Sequence, residues 1–131
     1  MIGLDSTFVI DFLKGESNAV EIAKRELENE ALMVTPITIF EVFFGILLSR
    51  QNTEEGKVAA HEFFGRTQLV DLTPTSALQA AKLNVELAKK GNMMETTDVL
   101  IATALLHQGC TKVLTRDNDF ARIKEMEIVH Y

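Results

Sequence analysis

Short apolar runs and longer mixed stretches alternate along the chain. Five runs read as β-strands: Ile2 to Leu4, Leu32 to Val34, Leu69 to Leu72, Lys112 to Leu114 and, as an edge strand, Glu127 to His130. The stretches between them carry helical spacing and helix punctuation. Ser6 can cap a helix from Thr7 to Lys14, which Gly15 ends. Ser17 opens a second helix to about Asn29. An apolar helix runs from Thr38 to about Arg50, and another from Thr53 to Phe64. Thr75 or Ser76 caps a helix reaching Lys90, stopped by Gly91. Thr97 or Asp98 opens one to His107, with Gly109 after it, and a turn from Arg116 to Asp119 leads to a short helix. Pro36 and Pro74 each stand where an apolar run gives way to a helical pattern. Alternation of this kind predicts an α/β fold with a mainly parallel sheet and helices on both faces. Residues 1–131 read as one domain, without repeats or Pro/Gly-rich linkers.

Composition narrows the function classes. At 131 residues, 47% hydrophobic and 24% charged, the chain can bury a core of its own. No apolar run approaches the ~18 residues of a membrane span. The longest, Ile37 to Leu48, has Glu41 inside it. The opening Met1-Ile2-Gly3-Leu4-Asp5 lacks a basic n-region, so no signal peptide is expected. A lone cysteine, Cys110, excludes an intramolecular disulfide and a cysteine-rich zinc site. A cytoplasmic protein is the expectation. The net charge of -6 argues against a broad basic nucleic-acid face, so a nucleic-acid partner would need a local basic rim, a bound cation, or both.

The acids carry the candidate chemistry. In parallel α/β sheets ligands bind beyond the carboxyl ends of the strands. Asp5, Asp117 and Asp119 follow predicted strands directly, while Glu41 and Asp98 sit in or at the start of unusually apolar helices. Each has an ordinary structural explanation. Asp5 and Asp98 could be helix caps. Thr38-x-x-Glu41 fits a capping box. Asp117 and Asp119 suit a strand-to-helix turn. Neighbouring residues could take over several of these roles, and the convergence of four carboxylates at one sheet edge is the stronger observation. Such a group raises its own pKa values unless a cation offsets it. Oxygen ligands without cysteine or paired histidines suit Mg²⁺ or Mn²⁺, and phosphoryl chemistry suits such a site. His61, His107 and His130 are scattered, and no glycine-rich phosphate loop is present. Lys89, Lys90, Arg116, Arg122 and Lys124 could rim the site.

Four segments together resemble the PIN-domain family, in order and at family spacing. They are Leu4-Asp5-Ser6-Thr7-Phe8-Val9-Ile10-Asp11-Phe12-Leu13, Thr38-x-x-Glu41-x-x-x-Gly45, Thr97-Asp98-x-x-Ile101-Ala102-x-Ala104 and Leu114-Thr115-Arg116-Asp117-x-Asp119-Phe120. The length points to the VapC-type toxins of toxin–antitoxin pairs. The resemblance implies a three-layer α/β/α sandwich with a five-stranded, mostly parallel sheet, and a Mg²⁺- or Mn²⁺-dependent endoribonuclease. It implies Asp5, Glu41, Asp98 and Asp117 as the catalytic and metal-binding acids, with Thr115 and Asp119 supporting them. On that resemblance, Asp5, Asp98 and Asp117 are expected to bind one or two metal ions, directly or through water, and Glu41 to orient the metal-bound water or take its proton. The products would carry 5′-phosphate and 3′-hydroxyl ends. It also implies a homodimer, an RNA substrate in a loop or single strand, and a small antitoxin whose C-terminal segment reaches into the acidic pocket.

Two other readings stay open. In the first, a non-enzymatic interaction module, the acids are caps and the apolar helices bind a partner. The second is a receiver-type phosphoacceptor domain, which needs paired acids after the first strand, where Asp5 stands alone.

Overall fold

A computed structural model describes residues 1–51 and 53–131. These residues form a five-stranded sheet, six α-helices and a short 3-10 helix. The strands are β1 (Ile2–Leu4), β2 (Leu32–Val34), β3 (Gln68–Leu69), β4 (Lys112–Leu114) and β5 (Glu127–Val129). The helices are α1 (Ser6–Leu13), α2 (Ser17–Glu26), α3 (Pro36–Leu48), α4 (Glu54–Phe64), α5 (Pro74–Lys89) and α6 (Thr96–His107). The 3-10 turn spans Asn118–Arg122. The sheet order is β3-β2-β1-β4-β5, and each ladder is parallel.

The register explains the three layers. Gly3 pairs with Met33 on one side and Val113 on the other, and Leu4 pairs with Leu114. Successive strand residues point to opposite faces. Ile2, Leu4, Val34 and Leu114 therefore join one core with Phe8 and Val9 of α1, Ile22 of α2, Val42 of α3 and Ala60 of α4. Met33 and Val113 join a second core with Ala80 and Leu87 of α5, Ile101 and Leu105 of α6, and Phe120. Helices α1–α4 cover one face of the sheet, and α5 and α6 the other. At Gly3, Leu105 of α6 packs directly onto the sheet. A Cβ at this position would lie 2.4 Å from Leu105 Cδ1.

Several element ends differ from the sequence reading, for local reasons. Helix α3 starts at Pro36 and its cap is Thr35, whose side chain accepts from the Thr38 backbone N–H. Proline suits this first position, since its missing N–H would be unpaired there. Thr38 is thus inside the helix, and the capping box expected for Glu41 does not form. Helix α5 is capped one turn earlier than expected, by Thr73 in a reciprocal capping box with Ser76. Helix α6 has Glu95 at its cap position, with no side-chain cap bond, and Asp98 lies in its first turn. Asp5 holds the cap position of α1, also without a cap bond, and Ser6 belongs to the helix. Strand β3 is Gln68–Leu69 rather than Leu69 to Leu72, and α2 ends at Glu26 rather than Asn29. The helix stops at Gly91 and Gly109 stand as expected. Both adopt left-handed φ, 71° and 77°, which a Cβ disfavours. Cys110 is buried, in line with a packing role. No described helix is long and apolar enough to cross a membrane.

Candidate active site

The topology converges on one point. The chain leaves β1 for β2 on one side, and β4 lies on the other. A crevice opens at such a reversal, at the carboxyl edge of the sheet. Asp5 follows β1 and Thr115 follows β4, adjacent in the sheet. Helix α3 begins directly after β2, so its early turns, with Glu41, stand at the same edge. Helix α6 runs back toward the start of β4, so its first turn, with Asp98, is there too.

Hydrogen bonds fix the floor of the site. Asp5 is buried, and its Oδ2 accepts from the Thr7 and Thr115 hydroxyls, each at 2.8 Å. The Thr115 hydroxyl also accepts from the Asp117 backbone N–H at 2.9 Å. Asp117 Oδ1 in turn accepts from the Asp119 N–H at 2.8 Å and caps the 3-10 turn. Buried Phe120 anchors this turn. The turn explanation of Asp117 therefore holds, and the turn delivers the residue to the cluster. One carboxylate oxygen each from Asp98, Asp117 and Asp119 lie within 4.8 Å of one another.

Electrostatics extends the cluster. Burial raises the Asp98 carboxyl to about 7, and Asp5, Asp117, Glu41 and Glu95 push it the same way. Glu41 is also raised, first by burial and then by Asp5, while the Ser6 hydroxyl works against the shift. Its Oε1 is buried and has no hydrogen-bond partner among the described residues. An acceptor left unpaired inside a protein is costly. Like charges gathered with such an acceptor make a set of hard oxygen donors short of a cation, and a divalent metal fits that donor set.

Glu95 is the acid that the sequence reading passed over. It stands one helical turn before Asp98 and acts on both Asp98 and Glu41. Its spacing from Asp98 was the available signal. Thr7 was also missed, although a hydroxyl two residues after an Asp is a common local donor. The rim cations are partly committed. Arg122 Nη2 pairs with Asp119 at 2.9 Å, and its Nη1 donates to the Met93 carbonyl at 2.8 Å. Arg116 pairs with Asp11 at 2.9 Å.

Comparison with known proteins bears on the family and the fold. The PIN domain profile matches residues 2–126. Ribonuclease VapC2 of Rickettsia felis is 23% identical over 99 residues, which are 76% of this chain and 73% of that protein. The solved structure of VapBC2 from Rickettsia felis, bound to a DNA fragment from their promoter, superposes with a TM-score of 0.84 at 19% identity. It covers 100% of this chain and 99% of that one. DNA-bound VapBC from Salmonella typhimurium gives 0.82 at 24% identity, covering 98% and 96%. The Mycobacterium tuberculosis toxin VapC20, a sarcin-ricin loop cleaving toxin, gives 0.71 at 18%, covering 92% and 93%. The structural likenesses bear on the fold, while the profile spans nearly the whole sequence, from the first strand to just before the last. The chain belongs to the PIN domain family.

Proposed function

We propose that this chain is a metal-dependent endoribonuclease, cytoplasmic, and the toxin half of a VapBC-type toxin–antitoxin pair. The observation that carries the reading is Glu41 Oε1, a buried acceptor without a partner among the described residues, in the field of Asp5 and Asp98. A cap or turn acid has no need of that arrangement. The family, and a curated relative called a ribonuclease, support the same conclusion.

Asp5, Asp98 and Asp117 would hold Mg²⁺ or Mn²⁺, with Glu41 beside them and Asp119 and Thr115 in support. When bound, the ion would acidify water and offset charge on the phosphate. The chain's own residues do the rest. Thr7 and Thr115 keep Asp5 in one orientation by donating to Oδ2. Glu41 Oε1, with its raised proton affinity, takes the proton of the attacking water. Water adds to phosphorus as the bond to the 3′ oxygen breaks, and that oxygen takes a proton from solvent water, giving 5′-phosphate and 3′-hydroxyl ends. A loop or single strand suits the site better than a duplex, because its bases are open to contact.

Partners follow from two surfaces. On α3, Phe40, Phe44, Leu47 and Leu48 form an exposed apolar stripe, with Phe40 at 64% and Leu48 at 73% exposure. A helix buried on two sides of the monomer would have covered it. We assign it to a homodimer interface, since apolar patches of this kind mark contact sites. Besides the acidic pocket expected to take the antitoxin's C-terminal segment, a groove of about 700 Å³ between α1, α2 and α4, lined by Phe12, Leu27 and Phe63, offers another antitoxin segment an apolar seat.

The test maps new 5′-phosphate ends on total RNA, comparing wild type with Asp98→Asn, each in Mn²⁺ and in EDTA. Discrete ends seen only with wild type and metal are expected. An antitoxin-free wild-type preparation that cuts nothing would return the chain to the class of interaction modules.

A further inference from the structure

Asp11 lies on α1, outside the carboxylate cluster. Its Oδ2 accepts from the Tyr131 hydroxyl at 2.8 Å and pairs with Arg116 Nη1 at 2.9 Å. Asp11 is buried, whereas the Arg116 side chain is 61% exposed. A buried carboxylate held by a phenol is fixed in direction, and it fixes the cation it binds. Tyr131 stays a donor throughout ordinary pH, since burial and Asp11 push its hydroxyl up to about 12.

The place of Arg116 makes this pairing informative. It stands between Thr115, whose hydroxyl serves Asp5, and Asp117, a member of the cluster. The nearest carboxylates along the chain would draw its guanidinium into the site and compete with a metal. Its ion pair among the described residues is instead with Asp11, on another element. The guanidinium is thus kept at the rim, open to solvent. The other arginine of this segment, Arg122, is bound to Asp119 and to the Met93 carbonyl. A chain with net charge -6 that handles a polyanion needs such a cation near its mouth.

We infer that Asp11 and Tyr131 are positioning residues that hold Arg116 at the rim of the acid cluster, where its guanidinium binds a non-bridging oxygen of an RNA phosphate beside the cut. The inference rests on the nuclease reading above and adds two residues to it. Asp11 and Tyr131 touch neither RNA nor metal; they act through Arg116.

The experiment measures binding of a fluorescein-labelled, mixed-sequence, single-stranded RNA to the full chain in EDTA, over a range of salt. Wild type is compared with Tyr131→Phe, Arg116→Gln and the double variant, and melting curves establish that each is folded. Arg116→Gln should lower the slope of log affinity against log salt by about 1, the loss of one phosphate contact. Tyr131→Phe should weaken binding roughly three- to tenfold, the scale of one hydrogen bond. The double variant should bind no worse than Arg116→Gln alone, which a merely structural effect of Tyr131 would not produce. Arg116→Lys, which keeps the charge, should keep the salt slope. Wild-type affinity in Tyr131→Phe, or full additivity in the double variant, would overturn the positioning role. If wild type still cuts RNA in Mn²⁺, that failure leaves the nuclease reading standing. A wild type that neither cuts nor binds RNA would overturn both.

Discussion

Glu41 and Asp98 are where function and stability oppose each other most directly. Burial holds both carboxyls above their ordinary range. Asp98 rises from 3.8 to about 7, so the folded chain binds a proton there that the unfolded chain has already released. In EDTA its contribution to stability is therefore full below about pH 4 and is lost as pH climbs toward 7. Melting in EDTA should drop by roughly 3–8 °C between pH 5 and pH 8. Asp98→Asn should flatten much of that dependence. Mn²⁺ should raise the wild-type melting temperature at pH 8 and do little for Asp98→Asn. At a hundredfold excess over its dissociation constant a ligand adds about 2.7 kcal/mol. Glu41→Gln removes a buried charge without removing volume. It should stabilise the metal-free fold while slowing RNA cleavage by roughly 10²–10⁴-fold, the usual contribution of a general base. A Glu41→Gln protein that cuts RNA at the wild-type rate would rule out its role as base.

At the scale of elements, short strands depend on what packs against them. Strand β1 has three residues, and its middle one is Gly3. Leu105 fills the space above it and is fully buried. Gly3→Ala should cost about 1–3 kcal/mol in urea unfolding, as over-packing usually does. Leu105→Ala in the same chain should recover part of that loss if the clash is the cause. Helix ends give a gentler case. Thr73→Ala breaks the capping box of α5 and should cost ~1 kcal/mol. Thr38→Val should leave the cap of α3 in place, because Thr35 provides it. The two prolines and the helix-ending glycines were readable, because each reflects a backbone requirement of one residue. The caps were less so. Thr35 and Thr73 each have another hydroxyl residue within three positions, and local pattern does not say which one faces the helix.

At the scale of the whole molecule, α3 carries the surface assigned to the homodimer interface. Its outward apolar stripe predicts a dimer by sedimentation. Phe44→Glu combined with Leu47→Glu should give a folded monomer. If wild type sediments as a monomer at high concentration, the stripe belongs to another partner. The charge balance also acts at this scale. The acids outnumber the basic residues by 19 to 13, and several gather at one sheet edge. RNA binding should therefore strengthen when a divalent cation occupies the cluster, by more than the same change in ionic strength explains.

The order of elements and the parallel sheet were legible in the sequence, and so were several of the acids that the fold gathers at one sheet edge. Alternating periodicities impose a layered α/β fold, and strand-to-helix junctions in such a fold lie at one edge. Local chemistry singled out Asp5, Glu41, Asp98, Asp117 and Asp119 as candidates, and the family resemblance added Thr115. What the tertiary structure decided depends on distance between remote segments. It left Glu41 Oε1 buried without a partner among the described residues, brought Glu95 into the field of Glu41, and turned the Thr115 hydroxyl onto Asp5, 110 residues away in sequence. It also tied Arg116 to Asp11 and Arg122 to the Met93 carbonyl, and left the stripe on α3 exposed. A residue's type is written in the chain, but burial, pairing and proton affinity arise from neighbours that only folding supplies.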